Sequence, residues 1–93
     1  MNKKQKILII DDNKDVLIAL ELLLQEHFDQ IDTCKSPNVI PEKLRKHDYD
    51  VIILDMNFVA GVNTGKEGFY WLNKIFEFDP EAAVLFLNAY ADI

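Results

Sequence analysis

Val51-Ile52-Ile53-Leu54 is an unbroken apolar run, three of its four residues β-branched, and it ends at once in a carboxylate, Asp55. Such a run suits a strand covered on both faces, as in a parallel sheet held between helix layers. Asp55 then stands at the carboxyl end of that strand, where open α/β sheets keep their chemistry. Ile7-Leu8-Ile9-Ile10 followed by Asp11-Asp12 has the same design. Two buried strands that both end in aspartate constrain this chain more than anything else in it.

The rest of the chain alternates around those strands. The first strand spans Lys6 to Ile10, and Asp11, Asp12 and Asn13 end it with oxygens able to cap a following helix. That helix is predicted from Lys14 to His27. Its Val16–Leu24 stretch is apolar almost all round, more than one sheet contact requires, and so asks for a second cover. Gln30 to Lys35 reads as a second strand packed through Ile31, Thr33 and Cys34. Ser36-Pro37 forms a turn or helix start. A short helix from Glu42 to Lys46 follows, with Val39, Ile40 and Leu44 inward. His47-Asp48-Tyr49-Asp50 makes a polar lead into the third strand, and a loop with two glycines runs from Met56 to Gly65. Thr64 and Glu67 fit a capping box. The third helix is predicted from Glu67 to Phe78 with Phe69, Trp71, Leu72, Ile75 and Phe76 in the core, and Asp79-Pro80 stops it. Ala83 to Leu87 is a fourth strand that ends at Asn88. A β-α-β-α-β-α-β order predicts an α/β fold, a doubly wound parallel sheet in the order 2-1-3-4 with right-handed crossovers.

Composition narrows the function. With 93 residues, one domain is expected. A net charge of −6 argues against direct nucleic-acid binding by this segment, which needs a basic surface. The single cysteine, Cys34, forms no internal disulfide and reads as a buried structural thiol. No stretch approaches the roughly 18 consecutive apolar residues of a membrane span. The apolar run after Lys3, Lys4 and Lys6 is too short for an export signal, so a cytoplasmic location is expected. His27 and His47 show no ligand spacing and read as surface or helix-end residues.

With the first and third strands adjacent, their carboxyl ends flank the switch point and Asp11, Asp12 and Asp55 converge in one crevice. Three carboxylates so close repel one another and hold protons more tightly unless a cation intervenes. Carboxylate, carbonyl and water oxygens are what Mg²⁺ prefers. A bound Mg²⁺ would leave Asp55 able to act as a nucleophile toward phosphorus while neutralising charge on the transferring oxygens. Taken one at a time, these aspartates read as helix caps or a turn start. The trio at two strand ends reads as a site.

The segments ILIIDDN, VIILDMN and VLFLNAYADI resemble, across the whole chain, the receiver domain of bacterial two-component response regulators. The resemblance implies a flavodoxin-like fold and a phosphoacceptor switch that is not itself an enzyme. It implies that Asp55 takes a phosphoryl group from a sensor histidine kinase. It further implies that Asp12 binds Mg²⁺ directly, Asp11 through water and Asn57 through its backbone carbonyl. The long segment from Asn57 to Gly68 is similar to a variant in receivers joined to enhancer-binding ATPase and DNA-binding domains, which implies transcription regulation in a longer protein.

Two departures from the family pattern stand out. Asn88 occupies the position of the usual Thr or Ser, whose hydroxyl contacts the phosphoryl group; Asn can donate through its NH₂ but is bulkier. The sequence also stops before the family's fifth strand and fifth helix, so residues 1–93 read as a C-terminally incomplete receiver. An apolar edge at Val84–Leu87 and a partly uncovered first helix are then expected, with dimerisation, element swapping or marginal stability as the result. Two competing readings remain. Asn88 supports a pseudo-receiver that serves only as an interaction module. A Mg²⁺-dependent phosphatase using an aspartyl-phosphate is disfavoured, because Asn57, two residues after Asp55, is not the carboxylate acid/base such enzymes use. A dinucleotide site is disfavoured by the lack of a glycine-rich turn after the first strand.

Overall fold

β1 (Lys6–Ile10) and β3 (Val51–Asp55) pair in parallel at the centre of a four-stranded sheet, with Ile7 opposite Val51 and Ile10 opposite Leu54. The structure is a computed structural model that describes residues 5–55 and 66–87. β2 (Gln30–Cys34) pairs with the outer side of β1, and β4 (Ala83–Leu87) with the outer side of β3, giving the order β2-β1-β3-β4. This is the predicted doubly wound arrangement, in the flavodoxin-like strand order.

Period-two alternation divides the strand residues between two cores. Ile7, Ile9 and Ile53 pack on α1 (Lys14–Leu24) through Leu17, with Leu20 and Leu24 alongside. Leu8, Ile10, Ile52 and Leu54 pack on the other face against Ile40 of α2 (Ile40–Lys46) and Ile75 of α3 (Lys66–Phe78). The chain steps from β1 outward to β2, then back past β1 to β3 and on to β4. A fixed crossover hand turns that reversal of direction into a change of face, which is why, among the described helices, α1 lies opposite α2 and α3.

Several local expectations are corrected. α1 ends at Leu24 instead of His27, because the polar Gln25-Glu26-His27 has nothing to pack and the Leu24 carbonyl accepts from both His27 and Phe28. A 3₁₀ turn at Pro37–Val39, capped by Ser36, runs into α2, which starts at Ile40 with Pro41 in its first turn, where a missing N–H costs nothing. Thr33 is exposed: Ile31 on the same side of edge strand β2 meets the α1 core, while Thr33 lines an open cleft beside Leu17 and Ile18. Cys34 is half-buried. Phe69 and Phe76 of α3 are 58% and 37% exposed, so Ile75, with Trp71 alongside, anchors that helix. On α1, Leu22 and Leu23 are 62% and 69% exposed, and on β4 Leu85 and Phe86 are 58% and 38% exposed. The capping box at Thr64 and the loop from Met56 to Gly65 lie outside the described residues.

Tyr49 lies within the stretch expected to be a polar lead, yet it is only 5% exposed and belongs to the α2/α3 core. Its hydroxyl donates to Asp32 Oδ2 on β2, and Gln30 Nε2 donates to the same carboxylate. Burial works against the Asp32 charge, but these donors, with Lys43 and His47 nearby, hold its pKa below the ordinary value. Burial and the Asp32 partner together push the Tyr49 hydroxyl up.

Candidate functional site

Asp11 is the first residue past β1, and its backbone is fixed from two sides. Its N–H donates to the Cys34 carbonyl at 3.0 Å, which carries the β1–β2 ladder one step further. Its Oδ1 accepts the Asn13 N–H at 2.8 Å and so turns the chain sharply. Asn13, not either aspartate, then caps α1: its Oδ1 accepts from Asp15 N–H at 2.9 Å and Val16 N–H at 3.3 Å. The division of labour leaves Asp12 on the exposed face of the turn with no part in the cap.

Asp55 is the last residue of β3 and sits beside Asp11, one step beyond the Ile10–Leu54 pair. Asp11 and Asp55 are 5% and 4% exposed, while Asp12 is exposed. One carboxylate oxygen from each of the three lies within 4.8 Å of the others. The cluster is therefore two acids in a floor and one at its rim.

Burial raises the Asp11 pKa above its ordinary value. The Asn13 N–H offsets part of that, and the charges of Asp55 and Asp12, with a carboxyl–carboxyl hydrogen bond to Asp55, raise it further. Buried acids that raise one another's proton affinity are an arrangement that a divalent cation relieves. The donor set is all oxygen, as a hard cation requires. Asp11, Asp12 and Asp55 are thus brought together as the sequence predicts. Asn57 and Asn88, the other two predicted site residues, lie outside the described residues.

Supporting residues escaped the sequence reading. Asp50, just before β3, donates its N–H to the Lys6 carbonyl and accepts the Lys6 N–H on Oδ2, both at 2.8 Å. Asp29, just before β2, does the same to Gln5, both bonds at 2.9 Å. The only signal for them in the sequence is an aspartate immediately before each flanking strand.

A family model described as the response regulator receiver domain matches residues 7–93. The N-terminal signal receiver domain of a two-component system response regulator from Bacteroides fragilis is 40% identical, with a TM-score of 0.80 over 97% of this chain and 70% of that one. The response regulator TrrA from Thermotoga maritima, solved in complex with Mg²⁺-BeF, is 27% identical, with a TM-score of 0.75 over 94% of this chain and 71% of that one. Among curated proteins, the oxygen regulatory protein NreC of Staphylococcus haemolyticus is 30% identical over 89 residues, 94% of this chain. The chain spans 39% of the length of that relative and of its Staphylococcus carnosus counterpart.

Proposed function

The chain belongs to the response regulator receiver domain family, and from that premise we propose that Asp55 is its phosphoacceptor. The observation that carries the reading is the convergence of Asp11, Asp12 and Asp55 within 4.8 Å at the carboxyl ends of two adjacent strands. It is supported by the likeness to TrrA, a protein solved with Mg²⁺-BeF.

In this reading an Asp55 carboxylate oxygen attacks phosphorus in line with the bond to the donor. The new O–P bond forms as the donor's bond to phosphorus breaks, and the bonding pair leaves with the donor. Asp55 must be unprotonated to act, and a cation beside the three acids would favour that form. Asp11 and Asp12, with the Asn57 carbonyl, would hold Mg²⁺, which supplies positive charge to the cluster and to the phosphoryl oxygens. Asp11, gripped by the Cys34 carbonyl and the Asn13 N–H, cannot swing away and so presents a fixed oxygen. Burial of Asp11 and Asp55 keeps competing water low at the nucleophile. Asn88 would approach the phosphoryl group from the β4 side through its NH₂.

The donor in this reading is a sensor histidine kinase, and the phosphorylated domain acts on transcription through further parts of a longer protein. Treating the full-length protein with acetyl phosphate and Mg²⁺, followed by mass spectrometric mapping, tests it. A single phosphoryl group on Asp55, lost in Asp55→Asn and in the presence of EDTA, is expected. An unmodified wild type, or modification that persists in Asp55→Asn, overturns it. Phosphorylation without any change in oligomeric state or hydrogen exchange would instead favour the interaction-module reading that Asn88 suggests.

A further inference from the structure

The far end of the strand pair from the acidic cluster is fastened by two matched brackets. Gln5 and Lys6 are consecutive, so in a parallel sheet their N–H and C=O groups face opposite neighbours. Asp29 takes both groups of Gln5, and Asp50 takes both groups of Lys6. In each bracket the aspartate's N–H donates to the β1 carbonyl, and its carboxylate accepts the β1 N–H where the next strand carbonyl would otherwise stand. The two are nearly identical in chemistry and exposure, and in length, at 2.9 Å for Asp29 and 2.8 Å for Asp50. They differ in what they join. Asp29 ties β1 to β2, which bears none of the three acids. Asp50 ties β1 to β3, the two strands that carry Asp11 and Asp55.

The geometry points to Asp50 as a positioning residue for the acidic cluster: it sets the slide of β3 along β1, and with it the separation of Asp55 from Asp11 and Asp12. Between bracket and cluster lie only the rungs from Ile7–Val51 to Ile10–Leu54. Parallel rungs are slanted and evenly spaced, so a small slide tilts each of them without breaking it. A slide permitted at Lys6 therefore reappears at Asp11, about 17 Å away at 3.3 Å per residue. A fraction of an ångström there changes whether three carboxylate oxygens can meet one cation. This role rests on the reading of the cluster as a Mg²⁺ and phosphoryl site.

The experiment measures Mg²⁺ affinity by titration calorimetry and the initial rate of Asp55 labelling by acetyl phosphate at saturating Mg²⁺, in the full-length protein. Asp50→Ala should bind Mg²⁺ about tenfold more weakly, a loss of about 1.4 kcal/mol. Asp29→Ala, which removes the same charge and the same bonds from the other neighbour, should stay within about twofold of wild type. Asp50→Asn, which keeps an acceptor oxygen, should restore affinity to within about twofold. If Asp50→Ala does not fold, Asp50→Glu takes its place, since one extra methylene displaces the acceptor without removing it. Equal losses in Asp50→Ala and Asp29→Ala, or no loss in either, with wild type labelled normally on Asp55, overturn the positioning role alone. A wild type that neither binds Mg²⁺ nor is labelled overturns the site and this role together.

Discussion

Asp11 and Asp55 follow directly on the Ile10–Leu54 pair of two parallel strands, and their buried carboxylates bring oxygens within 4.8 Å of each other. Two buried acids so close repel each other, so without a cation the pair is held at a cost to folding. Asp55→Asn substitutes a neutral donor of the same shape. In EDTA this variant should be more stable than wild type by about 1 kcal/mol, seen in calorimetry as a rise in Tm of about 4–8 °C for a domain of this size. A fall of several degrees would contradict the mutual repulsion of the pair.

Saturating Mg²⁺ should reverse that order. A ligand at 100 times its Kd adds about 2.7 kcal/mol to the folded state. Wild type should gain stability on that scale, and Asp12→Asn and Asp55→Asn should gain much less. Equal thermal shifts in all three proteins would place the cation elsewhere.

Ile75 and Phe69 lie on the same helix with opposite burial, 0% and 58% exposed. Ile75→Ala opens a cavity between α3 and the sheet and should cost about 2–5 kcal/mol in urea unfolding. Phe69 touches Phe86 edge-on at a centroid distance of 6.4 Å, and Phe69→Ala should cost no more than about 1.5 kcal/mol. A larger loss at Phe69 than at Ile75 would mean that α3 packs through a different face.

The Tyr49–Asp32 bond gives stability a defined pH dependence. The folded state holds the Asp32 pKa below its ordinary value of 3.8, so the unfolded chain binds the proton first as pH falls. The stabilisation is therefore present above that value and disappears as pH drops through the lower, folded-state pKa. Tyr49→Phe should destabilise by about 1–2 kcal/mol at neutral pH, and the difference from wild type should shrink below pH 3.8. Denaturant titrations across that range check it; a constant difference would show that Tyr49 contributes only packing.

Asn88→Thr restores the hydroxyl that the family pattern carries at this position. Under the proposed function it should leave the initial rate of Asp55 labelling within about twofold while enlarging the phosphorylation-dependent change in hydrogen exchange around β4. No difference between Asn88 and Thr at that position would show that the amide already makes the contact.

The local pattern of this chain was enough to determine its sheet. Ile7–Ile10 and Val51–Leu54 cannot be exposed on either face, so they had to become interior parallel strands, and each then delivers its terminal aspartate to the same edge. Helix types, their order and the acidic trio followed from that. The family resemblance added roles for Asn57 and Asn88. Periodicity could not say which side of an amphipathic element meets the core when both sides are apolar. Phe69 and Phe76 of α3 therefore looked as internal as Ile75, and Leu22 and Leu23 as internal as Leu17. Tertiary structure decided that choice, because only the position of the sheet under each helix fixes which residues it covers. The same holds for Asp29, Asp32, Tyr49 and Asp50. Their partners stand 17 to 44 residues away in the chain, and a hydrogen bond over such a separation has no local signature. It exists once β1, β2 and β3 lie side by side.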